Sequence, residues 1–278
     1  ERHLLVLVLH HIVADGWSIG ALYADLAAAY AALRAGGDWQ PGPLPMTYSD
    51  QVSYELAQSS GDQWRKDLTY WRATLDALPA ELGVHTSKTR PAHPTRRSYA
   101  ASCRLTGEVL GALRAFAQKS RVSPTMILAA ACAATLYRHG GGPALALGMP
   151  VSGRDRSETQ PVIGLFMNVL PIRVRVDGEE SFAELVSQVR NAILGALEHR
   201  QVPLTRLVAE LQPERSLTQT PFFQTVLNHG TAASLELDGV ETRPAPIDSG
   251  YIDTDLALTA VDSPDQSMRI EIKCSGDL

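Results

Sequence analysis

The sequence has few of the residues that disulfide or zinc frameworks need. Its 278 residues include three cysteines, at Cys103, Cys132 and Cys274, and none of them belongs to a Cys-x-x-Cys pair. An odd number of widely spaced cysteines argues against both a disulfide framework and a zinc site. The cysteine content is instead typical of a reducing environment, so we expect the protein to be cytoplasmic.

Long hydrophobic runs and an excess of positive charge are also missing. The longest apolar stretch, from Met126 to Leu136, is about half of the roughly 20 residues that span a bilayer. The formal net charge is −5, whereas nucleic-acid-binding proteins need a basic face. We therefore expect no nucleic-acid partner and no membrane partner. Without an initiating Met or a signal peptide, the chain is also expected to be a fragment.

The most informative segment is the opening. Residues 4–9 form an unbroken apolar run, and His10, His11, Asp15 and Gly16 follow it. Such a run is typical of a strand buried on both faces, which holds side chains at its end in a fixed geometry. On a strand the two histidines would point to opposite faces, so only one could face a given cavity. A histidine near neutral pH is suited to act as a general base.

Simpler interpretations of this segment remain open. Adjacent histidines at the end of a strand are often structural, and Asp15 is a good helix N-cap in any protein. His11 and Asp15 are also two possible metal ligands, although no third ligand is evident nearby.

Hydrophobic spacing and turn residues predict alternating helices and strands, and therefore mixed α/β layers. Helices are predicted over residues 17–34, 48–58, 63–78, 107–120, 124–138, 182–198 and 204–211. Strands are predicted over residues 4–9, 98–105, 144–151, 163–176, 222–228, 256–261 and 267–274. Residues 86–97 have no periodicity and contain Pro91 and Pro94, so we expect a linker there between residues 1–85 and residues 98–278.

Six motifs in order give the sequence a family resemblance. The string His-His-x-x-x-Asp-Gly-Trp-Ser resembles the active-site motif of condensation domains from nonribosomal peptide synthetases, which belong to the chloramphenicol-acetyltransferase-like superfamily. Five downstream segments also resemble motifs of that family, in the expected order: residues 48–50, 150–154, 163–171, 199–204 and 215–224. The resemblance implies a two-lobe α/β fold whose first lobe is incomplete in this chain.

The resemblance also implies roles for the residues of the opening motif. His11 is implied to deprotonate an attacking amine or to stabilise the charged tetrahedral species, with His10 in support. Asp15, followed by Gly16, is implied to be structural and to pair with Arg154, because a buried carboxylate needs a partner. A local alternative is that Arg154 is a solvated loop charge.

Three further residues are implied to line the substrate channel, namely Trp17, Asn168 and Gln224. Each also has a structural interpretation: Trp17 and Gln224 as core residues, and Asn168 as a polar bridge between strands.

The reaction implied by the resemblance is amide formation between two carrier-bound aminoacyl or peptidyl thioesters. The region 199–224 resembles the class with an L-configured donor and acceptor, whereas residues 170–171 resemble the class that takes D-configured donors, and we favour the former. The implied partners are donor and acceptor peptidyl carrier domains and an adjacent adenylation domain. The carrier domains supply the phosphopantetheine, and this chain binds no cofactor. The alternatives are an ester-forming or epimerising relative, and a non-catalytic docking scaffold or inert fragment.

Overall fold

The structure is a computed structural model that describes residues 2–79, 81–84, 86, 90–211, 219–245, 247–263 and 265–278. The chain divides into two compact units. Unit 1 comprises Glu1–Ser60, Val151–Asn168 and Ala233–Ile247. Unit 2 comprises Gly61–Pro150, Val169–Ala232 and Asp248–Leu278. The linker predicted at residues 86–97 stays a prediction. Within unit 2, Arg90 of this segment makes two hydrogen bonds of 2.7 Å to the Asp255 carboxylate.

Helices and strands alternate along the chain, as the sequence predicts. The helices are α1 (Gly16–Arg34), α2 (Tyr48–Gln58), α3 (Asp62–Leu75), α4 (Gly107–Ser120), α5 (Pro124–Arg138), α6 (Phe182–Glu198) and α7 (Leu204–Leu211). The strands are β1 (Ser98–Leu105), β2 (Ala144–Val151), β3 (Asn168–Arg175), β4 (Thr225–Thr231), β5 (Leu256–Asp262) and β6 (Met268–Ser275). The segment Ser157–Thr159 is a short 3-10 turn.

The strands form one mixed sheet in the order β1-β6-β5-β4-β2-β3. Strands β2 and β4 pair in parallel, as do β4 and β5, whereas β6 is antiparallel to both β1 and β5. The predicted strands at residues 256–261 and 267–274 correspond to β5 and β6, which pair directly as antiparallel neighbours. The architecture confirms the mixed α/β fold class.

Helix α5 has both the capping residues that start a helix and the apolar composition of a buried one. Ser123 caps the helix by accepting a hydrogen bond from the Met126 N–H, and Pro124 occupies the first turn, where its missing N–H costs nothing. Ala129, Ala130 and Ala133 are completely buried. These small side chains let neighbouring elements pack closely against the helix. The alanine-rich sequence of α5 is therefore suited to a buried position in the core.

The prediction for the opening segment is wrong. Residues 2–10 have no regular secondary structure, and the apolar side chains of residues 4–9 are exposed, with Val8 at 88%. An extended segment becomes a strand only when a neighbour satisfies its N–H and C=O groups, and no described strand pairs with this one.

Two predicted strands begin later than expected. The strand predicted from residue 163 begins at Asn168, because Gly164 and its neighbours form a loop. The strand predicted from residue 222 begins at Thr225, because Phe222 has a φ of 70° and so cannot adopt the β conformation.

Gly148 in β2 has no space for a side chain, since a Cβ there would lie 2.5 Å from Cε2 of the buried Phe223. We expect Gly148→Ala to lower the free energy of unfolding by about 1–3 kcal/mol through overpacking. Gly111→Ala in α4 is the matched control, because its Cβ would meet no described heavy atom within 4 Å and alanine favours a helix. Urea unfolding measures both variants, and equal midpoints would contradict the prediction.

Candidate active site

The two histidines lie in a turn of unit 1 that leads into α1. His11 Nδ1 is 2.8 Å from the Ala14 carbonyl oxygen, and the Val13 N–H donates to the His10 carbonyl at 3.0 Å. The predicted alternation of His10 and His11 on a strand is therefore wrong, because no strand is present there. A carbonyl can only accept, so His11 Nδ1 carries the hydrogen and Nε2 of the neutral ring keeps its lone pair. The side chains of His10 and His11 are both exposed.

Asp15 caps α1 from a buried position. Its Oδ1 accepts hydrogen bonds from the Ser18 N–H and the Ser18 hydroxyl, both at 2.8 Å, and its Oδ2 accepts from the Phe166 N–H at 3.1 Å. Arg154 Nη2 lies 3.1 Å from the same Oδ1, and both side chains of this ion pair are almost completely buried. The structure thus joins Asp15 and Arg154 directly.

Arg154 donates hydrogen bonds to several other groups. Nη1 donates to the carbonyl oxygens of Thr159 and Val162, the latter at 2.8 Å, and Nη2 also donates to the Ser18 hydroxyl at 2.9 Å. The guanidinium carbon lies 3.9 Å from the centre of the Phe166 ring. The alternative that Arg154 is a solvated loop charge is therefore wrong.

The electrostatics of this cluster favour the ionised carboxylate. Burial acts to raise the pKa of Asp15, but hydrogen bonds from Ser18, Phe166 and Arg154 outweigh it, and the pKa lies below its ordinary value of 3.8. We call Asp15, Ser18, Arg154, Gly164 and Phe166 the aspartate–arginine cluster. All of its residues belong to unit 1.

Comparison with known protein families identifies the family of this chain. The model of the family described as Condensation domain matches residues 1–277. The chain belongs to the condensation-domain family. Isonitrile lipopeptide synthase of Mycobacterium tuberculosis is 35% identical over 268 residues, which are 93% of this chain and 11% of the relative. Phosphinothricin tripeptide synthetase PhsC of Streptomyces viridochromogenes is 36% identical over 262 residues, which are 92% of this chain and 24% of the relative.

Solved structures support the same fold. A complex of the X-domain and OxyB from teicoplanin biosynthesis has a TM-score of 0.85 and 27% identity, covering 97% of this chain and 61% of that chain. The chain thus spans a small part of its curated relatives and about three fifths of that structure. It is a condensation domain of the nonribosomal peptide synthetase type with the corresponding α/β fold.

The structure gives Ser18, the last residue of the motif string, contacts that sequence reasoning missed. Ser18 is 1% exposed, and its hydroxyl contacts both Asp15 and Gly164. Residues 16–20 also fit the Gly-x-Ser-x-Gly pattern of serine nucleophiles. The Ser18 hydroxyl is buried and bonded to carboxylate and backbone groups, so this pattern does not mark an exposed nucleophile here. The motif string ending in Trp-Ser was the sequence feature that could have pointed to Ser18.

Two glycines permit the close approaches around the condensation-domain motif. Gly153 has a φ of 61°, and a Cβ there would lie 2.1 Å from the Phe166 carbonyl oxygen. A Cβ at Gly164 would lie 2.3 Å from Cδ2 of Tyr48. Gly16 differs, because a Cβ there would meet no described heavy atom within 4 Å.

Tyr48, at the start of α2, fixes the loop that contains Gly164. Its hydroxyl donates to the Leu165 carbonyl at 2.8 Å, and its ring meets the Phe166 ring edge-on at 5.3 Å. Asp50, two residues later, completes a capping box with Thr47 and so fixes the start of α2. In the motif at residues 48–50, Tyr48 and Asp50 therefore both have structural partners.

The three residues predicted to line a channel differ in how far they are buried. Trp17 is 51% exposed and donates from Nε1 to the Gln160 carbonyl at 3.1 Å, so its interpretation as a core residue is wrong. Asn168 is half-buried at the start of β3. Gln224 is buried in unit 2 and donates to the Thr220 carbonyl at 2.8 Å. Their role in a channel stays a prediction.

The described part of the chain lacks two features, a metal-binding cluster and a membrane-spanning helix. There, no cluster of three or more His, Cys, Asp and Glu side chains has a geometry suited to a metal ion. Nor does any helix within these residues have both the length and the apolar character for crossing a bilayer.

Removing Arg154 leaves the buried Asp15 carboxylate without its cationic partner. We expect Arg154→Ala to cost about 3–5 kcal/mol of stability and to reduce the yield of folded protein. Arg156→Ala is the matched control, since its ion pair with Glu158 is exposed at 3.8 Å and is worth about 1 kcal/mol or less. Soluble yield and melting temperature measure the effect. Full solubility with an unchanged melting temperature for Arg154→Ala would contradict it.

The lowered pKa of Asp15 predicts a pH dependence of stability. A carboxylate whose pKa is lower in the folded state stabilises the fold above its ordinary value of 3.8, and this contribution is lost as the pH falls through the folded-state pKa. The stability difference between wild type and Asp15→Asn should therefore be constant near neutral pH and shrink below pH 3.8. Urea titrations at several pH values test this, and a difference that grows on acidification would refute it.

Proposed function

We propose that this protein forms peptide bonds between two carrier-bound thioesters, with an L-aminoacyl or L-peptidyl donor and an L-aminoacyl acceptor. The observation that carries the proposal is the exposed imidazole of His11, held at Nδ1 by the Ala14 carbonyl beside a buried, fully bonded Asp15. This arrangement leaves Nε2 as a base on a fixed turn. Membership of the condensation-domain family supports assigning that base to amide formation.

The chemistry needs no covalent enzyme intermediate, because a thioester is already an activated acyl group. The acceptor amine attacks the donor carbonyl carbon and forms a tetrahedral species. The carbon–sulfur bond then breaks, which leaves an amide on the acceptor carrier and a free thiol on the donor carrier. His11 Nε2 takes the amine proton or stabilises the charged intermediate, and a proton passes to the leaving thiolate. Positioning of the two substrates supplies several kcal/mol of barrier lowering.

The proposed partners are donor and acceptor peptidyl carrier domains and an adjacent adenylation domain. Support comes from the size of the relatives, of which the chain spans 11% and 24% in the two cases above. The phosphopantetheine belongs to the carrier domains, and this chain is proposed to bind no cofactor of its own. Free cysteines at positions 103, 132 and 274 support a reducing, cytoplasmic location.

Trp17, Asn168 and Gln224 are each proposed as residues that contact substrate. The Trp17 ring is exposed yet held at Nε1 by the Gln160 carbonyl, which suits a rigid wall for a substrate. The stereochemical proposal rests on residues 199–224, which resemble the class with L-configured substrates.

A second candidate function is protein docking without catalysis. The X-domain, 27% identical to this chain, was solved in complex with OxyB. The exposed apolar side chains of residues 4–9 also offer a surface for another protein. An assay of peptide formation separates this candidate from the enzymatic one.

We expect His11→Ala to lower the rate of peptide formation by about 10²–10⁴-fold, the usual contribution of one acid–base group. The assay uses the full natural protein with two loaded carrier domains and offers both an amine and an alcohol acceptor. His139→Ala is the control, because this histidine lies on the exposed C-cap of α5.

Full activity of His11→Ala would contradict the proposed role of His11. Product formed only with the alcohol acceptor would instead favour an ester-forming enzyme. Inversion at the α-carbon of a loaded substrate without amide formation would favour an epimerase. A wild-type protein that forms no product but still binds a partner would favour the docking function.

A further inference from the structure

We propose that Ser18 is a positioning residue, which acts on the reaction through His11 and through the loop that leads to Asn168. The inference rests on the proposed function of His11. Ser18 lies in the first turn of α1 yet is only 1% exposed, whereas Gly16 and Trp17 beside it are exposed. A serine in that position needs buried partners, and the structure provides them.

The hydroxyl of Ser18 uses its full hydrogen-bonding capacity. It has one hydrogen and two lone pairs. The oxygen lies 2.8 Å from Asp15 Oδ1 and 2.8 Å from the Gly164 carbonyl, either of which takes the hydrogen. It accepts from Arg154 Nη2 at 2.9 Å and from the Gly164 N–H at 3.1 Å. One side chain therefore contacts three separate parts of the sequence.

One set of these bonds leads to His11. The Ser18 N–H donates to Asp15 Oδ1, and the Ser18 hydroxyl oxygen lies 2.8 Å from the same atom, and these contacts fix Asp15 as the cap of α1. Asp15 follows the buried Ala14, whose carbonyl oxygen holds Nδ1 of His11 at 2.8 Å. The orientation of the imidazole therefore depends on how firmly the cap is held.

The other set leads to the loop before β3. The Ser18 hydroxyl accepts from the Gly164 N–H at 3.1 Å and lies 2.8 Å from the Gly164 carbonyl oxygen, and Asp15 Oδ2 accepts the Phe166 N–H at 3.1 Å. Tyr48 also holds this loop by donating to the Leu165 carbonyl at 2.8 Å. The loop ends at Asn168, the first residue of β3. Ser18 thus couples the histidine turn to the backbone that places Asn168.

The test is a double-mutant cycle on peptide formation by the full natural protein with two loaded carrier domains. We expect Ser18→Ala to lower kcat roughly 10- to 100-fold with little change in KM for either carrier domain, because misplacing a catalytic group has a cost of this size. In the His11→Ala background, we expect Ser18→Ala to have a clearly smaller effect, because only its contact with the loop before Asn168 then still matters. A residue that acts through His11 should show this non-additivity, whereas general destabilisation should lower the rate in both backgrounds.

Ser53→Ala is the matched control, since the exposed Ser53 hydroxyl donates only to the Ser49 carbonyl of its own helix, at 3.0 Å, and kcat should not change. If Ser18→Ala does not fold, Tyr48→Phe replaces it, because that variant removes one hydroxyl from the loop and keeps the ring. Its kcat should fall in the same non-additive way but less.

Full kcat in a folded Ser18→Ala protein, or an equal loss in both backgrounds, would overturn the inference while leaving the role of His11 intact. Full activity of His11→Ala alone would instead overturn the proposed function and this inference with it.

Discussion

The ion pair between Asp15 and Arg154 is the interaction on which the candidate site depends. Two opposite charges that are almost completely buried are tolerated because they pair with each other and each makes further hydrogen bonds. Asp15 accepts from Ser18 and Phe166 as well as from Arg154, while Arg154 also donates to backbone carbonyls. The cost of desolvating the charges therefore constrains the backbone around them.

This constraint on the backbone explains which residues occupy several neighbouring positions. The segment after Arg154 must turn so that its carbonyl oxygens accept hydrogen bonds from the guanidinium. The loop at Gly164 must come close to both Ser18 and Tyr48. Only glycine fits at Gly153 and Gly164, where a Cβ would overlap neighbouring atoms. Motifs far apart in sequence thus meet in one buried cluster, while His11 stays at its exposed edge with Nε2 available for chemistry.

The prediction of elements from sequence was accurate where the signals were local. The bounds of α2, α4, α5 and α6 match the predicted ranges, since helix spacing, capping residues and terminal breakers lie within a few positions of one another. The sequence also indicated Arg154 as the partner of Asp15, through the family resemblance of its motif. It failed at residues 4–9, where an apolar run alone does not supply the neighbour that a strand requires.

By itself the sequence determined the family, the mixed α/β class, most helices and the identity of the histidine motif, because these depend on residue types at short spacing. Only the tertiary structure decided that the histidines lie in a turn, that Trp17 is exposed and that Ser18 is buried against Gly164. Ser18 and Gly164 are 146 positions apart, and no local pattern specifies a hydrogen bond between them. Such a bond follows from burial, which requires each polar group to have a partner wherever the chain can provide one.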